Sequence, residues 1–131
     1  AGFRILVVDD DVFIREHFKD LTYQIASEAI PDVIVQTAGS PDEIRDAVLR
    51  SEPDLILMDI DLGPLNANGL DMTLELRGQH KTSYVCLHSS RVTSNGGDDL
   101  VKSCGADSFV SKPMDVDSFR TILAEARARV K

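Results

Sequence analysis

The chain has no tryptophan, only two cysteines, and no apolar run that approaches the roughly 20 residues needed to cross a bilayer. Without such a run a membrane-spanning helix is not expected, and the N-terminus lacks the basic-then-apolar layout of a signal peptide, so the cytoplasm is the expected compartment. Cys86 and Cys104 form no C-x-x-C pair and are too few for a disulfide framework; they read as reduced thiols. Basic residues are also scarce: 14 Lys and Arg stand against 22 Asp and Glu, a formal net charge of −8. That surplus repels phosphate backbones and anionic headgroups, which argues against a nucleic-acid or membrane-surface role and leaves proteins or cations as partners.

What is present suits one soluble domain spanning residues 1–131, with 43% hydrophobic and 27% charged residues. The chain starts at Ala1 rather than Met, so both a processed whole protein and a segment of a longer one stay open.

Five short runs read as strands: Phe3 to Val8, Val33 to Gln36, Leu55 to Met58, Tyr84 to Leu87 and Ser108 to Val110. Helical patterns separate them. Ile14, Phe18, Leu21 and Ile25, spaced by four, three and four, share one face of the first. Ser40-Pro41-Asp42-Glu43 combines an N-cap serine, a proline at the first helical position and a glutamate at the third, marking the second. Gly69 to Arg77 gives a third, Asp98 to Ser103 a weak fourth, and Phe119, Ile122, Leu123 and Ala126 line a fifth. Regular alternation predicts an α/β fold, a parallel sheet with helices on both faces.

Ligands of such sheets bind beyond the carboxyl ends of the strands. The residues there are Asp9 and Asp10, Asp59, Ser89 and Lys112, all polar or charged. Carboxylates gathered together repel one another, so the cluster calls for a hard divalent cation, Mg²⁺ or Mn²⁺, with Asp10 and Asp59 as direct ligands and Asp9 acting through water. A carboxylate can also attack phosphorus, and Lys112 and Ser89 supply the ammonium and hydroxyl that would compensate the developing charge. With no evident general base for rapid turnover, the set suits a switch better than an enzyme.

At these residues the chain resembles a known family. The strings ILVVDDD, LILMDIDLGP, LHSS and ADSFVSKP resemble the signature segments of response-regulator receiver domains, and the match covers essentially the whole chain. The resemblance implies a flavodoxin-like (βα)5 three-layer sandwich with strand order 2-1-3-4-5. It implies Asp59 as phosphoacceptor, Asp9 and Asp10 as the acidic pair, and Asp61 as the residue whose backbone carbonyl completes the metal site. It further implies Ser89 as switch hydroxyl, Lys112 as the stabilising lysine, Pro113 following it in a cis peptide, and Phe109 as switch aromatic. The implied partner is a histidine kinase or histidine phosphotransfer protein. The implied output is a changed surface around the fourth helix, fifth strand and fifth helix, through which a phosphorylation-dependent homodimer could form. With no effector domain after the fifth helix, the expected settings are a stand-alone regulator, a phosphorelay intermediate or the receiver of a hybrid kinase.

Three local features stand out. Pro64 and Gly69 come later than the family pattern places them, so the loop from Leu62 to Asn68 carries about two extra residues. Asp61 and Arg91 sit two residues beyond Asp59 and Ser89, and a contact between them is expected to shield the acyl phosphate and lengthen its lifetime. The run Ser94-Asn95-Gly96-Gly97-Asp98-Asp99 predicts a loosely held start to the fourth helix.

Three rival readings are weaker. Asp59-Ile60-Asp61 resembles the D-x-D motif of haloacid-dehalogenase phosphohydrolases, but that motif normally follows the first strand. A receiver-like module that is never phosphorylated would be expected to lack an acid or the lysine. A flavin-binding protein would need a hydroxyl-rich phosphate loop where this chain has aspartates. Asp11 reads as a helix cap, and His17, His80 and His88 as structural or surface residues.

Overall fold

The computed structural model describes residues 2–60, 69–89, 98–112 and 114–130. Five strands, β1 (Arg4–Val8), β2 (Ile34–Ala38), β3 (Leu55–Asp59), β4 (Tyr84–Ser89) and β5 (Ser108–Ser111), alternate with five helices. The helices are α1 (Val12–Ala29), α2 (Pro41–Ser51), α3 (Gly69–Gly78), α4 (Asp98–Cys104) and α5 (Val116–Val130). All strand pairs are parallel, in the order β2-β1-β3-β4-β5. The expected flavodoxin-like architecture is therefore the observed one.

Strand chemistry explains the order. The residues of β3 and β4 are buried throughout, as continuous apolar runs covered on both faces must be, whereas β2 and β5, at the edges, are only partly covered. Alternate residues feed two cores. Ile5, Val7, Leu55, Leu57, Tyr84 and Cys86 pack against α1 and α5. Leu6, Val8, Ile56, Met58, Val85 and Leu87 pack against α2, α3 and α4.

Local signals start the helices where the sequence places them. The Asp11 carboxylate accepts from the backbone N–H groups of Phe13 and Ile14 at 2.9 and 3.1 Å, so Asp11 is the α1 cap. Ser40 Oγ accepts from Glu43 N at 3.2 Å, and Pro41 opens α2. The Glu43 carboxylate reaches back one residue further than a capping box requires, accepting from Gly39 N at 2.7 Å.

One detail of α1 lies beyond what the spacing alone predicts. The α1 residues closest to the sheet are the small Thr22 and Ala26, while Ile14 and Leu21 are 51% and 36% exposed. Small side chains let the helix axis approach the sheet along the 22–26 line, which turns Ile14 and Leu21 to its margin. There, with His17, Phe18, His88, Lys112 and Met114, they line a cavity of about 460 Å³.

On the opposite flank, Asp107 ties three elements together. Its carboxylate accepts from Val85 N at 2.8 Å and pairs with Arg77 of α3 at 3.0 Å and with Arg129 of α5. Among the described residues, no helix is long and apolar enough to cross a membrane.

Candidate functional site

Sheet order reverses between β1 and β3, and that is where the acids meet. Register places Val8 beside Met58, so the next residues, Asp9 and Asp59, emerge side by side from adjacent strands. Both are 3% exposed, and Asp10 is exposed at the mouth. One carboxylate oxygen from each of Asp9, Asp10 and Asp59 lies within 4.8 Å of the others. This all-oxygen set fits a hard divalent ion; it contains no thiolate or imidazole that would favour a softer one.

The compensating cation comes from the far edge. Lys112 directly follows β5, its backbone N–H donating to Ser89 O at 2.8 Å. Its Nζ lies 3.1 Å from Asp9 Oδ2 and 3.3 Å from Asp59 Oδ1. Burial works against the ammonium, but the hydrogen bond to Asp9 and the charges of Asp59 and Asp9 outweigh it, leaving its pKa above the ordinary lysine value. Lys112 is therefore charged at neutral pH. Asp9 is fixed from a third side, its Oδ1 accepting from Asp11 N at 3.0 Å.

Ser89 is fully buried at the end of β4. Strand alternation turns it, with Leu87, toward α3 and α4. Phe109, the register partner of Leu87, packs against the same core, so Ser89 and Phe109 occupy one face of neighbouring strands.

Two neighbours of Asp59 were not assigned from sequence. Gly69 begins α3, and its N–H donates to Ile60 O at 2.8 Å. A Cβ there would stand 2.3 Å from Asp59 O and 2.7 Å from Met58 Cγ, so α3 can approach the strand end only at glycine. A glycine opening a helix is the signal, but its contact depends on tertiary packing. His88, read as structural or surface, is 7% exposed and is the register partner of Asp59. Burial, then the charge of Lys112, lowers its pKa to about 4 against a smaller opposing effect of Asp9. Its ring packs on Phe18 at 5.0 Å, and Nε2 is buried with no partner among the described residues.

Asp61, the loop from Leu62 to Asn68, Arg91, residues 94–97 and Pro113 lie outside the described residues. The expectations placed on them, including the Asp61–Arg91 contact and the cis peptide at Pro113, lie there too.

Residues 5–124 match the response regulator receiver domain family. The chain belongs to that family. As a receiver domain it is a phosphoacceptor signalling switch, which also sets aside the phosphohydrolase and flavoprotein readings. Among solved structures it resembles the receiver domain of NtrX from Brucella abortus, with 30% identity, a TM-score of 0.75, and coverage of 93% of this chain and 96% of that one. A Francisella response regulator receiver domain shares the fold at a TM-score of 0.82 with 20% identity, covering 99% of this chain and all of that one. A curated relative, a protein-glutamate methylesterase/protein-glutamine glutaminase from Methanospirillum hungatei, is 33% identical over 98% of this chain. The receiver domain spans only 36% of that relative's length.

Proposed function

We propose that this receiver domain accepts a phosphoryl group on Asp59 from the phosphohistidine of a histidine kinase or phosphotransfer protein. The observation that carries the reading is Lys112 Nζ lodged between Asp9 and Asp59, with the Asp10 carboxylate beside them. An Asp59 carboxylate oxygen attacks phosphorus, the bond from phosphorus to the donor nitrogen breaks, and its electron pair leaves with the donor imidazole. Lys112 exchanges its contact with the Asp59 carboxylate for one with the phosphoryl oxygens, and the Ser89 hydroxyl donates to them.

Asp9, Asp10 and Asp59 would hold Mg²⁺ or Mn²⁺, with the Asp61 carbonyl as the further ligand that the family resemblance implies; the ion would supply neutralisation of charge on the transferring group. The product stays on the protein's own side chain. The domain is accordingly a switch rather than a turnover enzyme, and the cytoplasm is its proposed compartment.

Signal output follows from the shared face of Ser89 and Phe109. As the hydroxyl moves toward the phosphoryl group, Phe109 follows into the vacated space and the α4–β5–α5 surface changes. That surface is the proposed site of a phosphorylation-dependent homodimer. A contact between Arg91 and Asp61 is proposed to lengthen the phosphoryl lifetime.

Donor docking is proposed at α1. Val12, Phe13 and Ile14 are 50%, 84% and 51% exposed in its first turn, directly after the acids. An apolar collar around an acidic mouth fits a helical partner that presents a phosphohistidine.

Fluorine NMR with beryllofluoride and Mg²⁺ tests the reading. Bound fluorine resonances that disappear in Asp59→Asn are expected. No bound resonance in the wild-type protein would overturn it.

A further inference from the structure

Arg15, one turn into α1, reaches back across the strand end to the site. Arg15 is half-buried; its Nη1 donates to the backbone carbonyl of Asp9 at 2.9 Å, while its buried Nε has no hydrogen-bond partner among the described residues. One carbonyl contact set against one buried, unpartnered Nε is a poor stabilising arrangement, because the orphaned donor offsets much of what the hydrogen bond contributes. What the contact does accomplish is geometric. The Asp9 carbonyl and the Asp10 N–H belong to one planar peptide unit, so fixing that oxygen fixes the plane from which Asp10 departs.

Asp10 needs such help. Asp9 is held by Asp11 N and Lys112, and Asp59 by Lys112 and its strand. The Asp10 carboxylate is exposed and makes no hydrogen bond or ion pair with any described residue.

The opposite wall of the guanidinium site is Gly39, in the turn between β2 and α2. A Cβ at Gly39 would lie 2.2 Å from Arg15 Nη1 and 3.0 Å from Arg15 Cζ. The same turn is held by Gly39 N donating to Glu43 at 2.7 Å, so the flexible guanidinium end is the group that a Cβ at position 39 would displace. Gly39 is thus the recess that admits the guanidinium.

We propose that Arg15, seated against Gly39, is a positioning residue that holds Asp10 in a metal-binding orientation by fixing the Asp9–Asp10 peptide. The inference rests on the reading that Asp9, Asp10 and Asp59 bind a divalent cation. It separates two roles within the acidic set: Lys112 balances charge, and Arg15 sets direction.

Mn²⁺ binding followed by electron paramagnetic resonance tests this without phosphorylation. Outer residues that orient metal ligands typically change affinity about 10-fold to 100-fold when removed. Arg15→Gln should therefore weaken Mn²⁺ binding about tenfold at a temperature where thermal melts in EDTA show every variant folded. Gly39→Ala should weaken it comparably, although it removes no group near a carboxylate, and Arg15→Lys should restore part of the loss. Wild-type affinity in both Arg15→Gln and Gly39→Ala would overturn the inference. So would weakened binding that merely parallels a lowered melting temperature in EDTA. Absence of Mn²⁺ binding by the wild-type protein, or binding unchanged by Asp59→Asn, would overturn the metal-site reading beneath it instead.

Discussion

Asp59 and His88 are register partners on neighbouring strands, so the candidate phosphoacceptor has a buried, neutral imidazole as its lateral neighbour on the sheet. With a folded pKa of about 4 against an ordinary 6.5, His88 binds its proton later than the unfolded chain does as pH falls. The unfolded state therefore gains protons first, and stability is lost between about pH 6.5 and pH 4. Urea unfolding in EDTA at pH 7 and pH 4.5 should show an acid-induced loss that is smaller in His88→Leu by about 2 kcal/mol. An identical loss in both proteins would contradict the assignment.

Lys112 bridges two carboxylates that are each almost fully covered. Lys112→Met leaves Asp9 and Asp59 repelling one another, which should lower stability in EDTA by about 1–3 kcal/mol, moderated by the lysine's partial exposure. Mg²⁺ should recover more stability in Lys112→Met than in wild type, because the ion replaces a missing charge. Melting curves with and without Mg²⁺ check this, and equal Mg²⁺ shifts in the two proteins would count against it.

Gly69→Ala should cost about 1–3 kcal/mol through the collision of the new Cβ with Asp59 O. Because the backbone displaced is that of Asp59 itself, acetyl phosphate should also modify the variant more slowly. Gly78, where a Cβ meets nothing within 4 Å, is the control: Gly78→Ala should leave the modification rate unchanged.

The exposed collar separates chemistry from donor recognition. Phe13→Ala and Ile14→Ala should each leave modification by acetyl phosphate at the wild-type rate while slowing transfer from a cognate phosphohistidine donor at least fivefold, the scale of a truncated interface anchor. Rapid-quench transfer assays distinguish the two. Equal slowing with both phosphodonors would place these side chains in the reaction rather than the interface.

Much of the site was legible because it lies at strand ends. The apolar runs of β1 and β3 stop at Asp9 and Asp59, and those of β4 and β5 stop two residues before Ser89 and Lys112, which announces where the sheet opens; the cap signals at Asp11 and Ser40 are local enough to survive folding unchanged. His88 was not legible. Its pairing with Asp59 depends on the β3–β4 register, which no single strand encodes. Arg15 was hidden for a related reason: its partners, Asp9 O and the recess at Gly39, belong to two different turns joined only in the folded chain. Helix periodicity placed Ile14, Phe18 and Leu21 on one face, and they line one cavity beside His88; it did not reveal that Thr22 and Ala26, ordinary in hydropathy, are the buried residues of α1.

The central claim is that Asp59 takes the phosphoryl group. Its most direct test is incubation with acetyl phosphate and Mg²⁺, borohydride reduction of the acyl phosphate, and peptide mass mapping. A single reduced residue at position 59, absent in Asp59→Asn and when Mg²⁺ is chelated, is the predicted result. Modification at Asp9, Asp10 or another residue, or none at all, would contradict it.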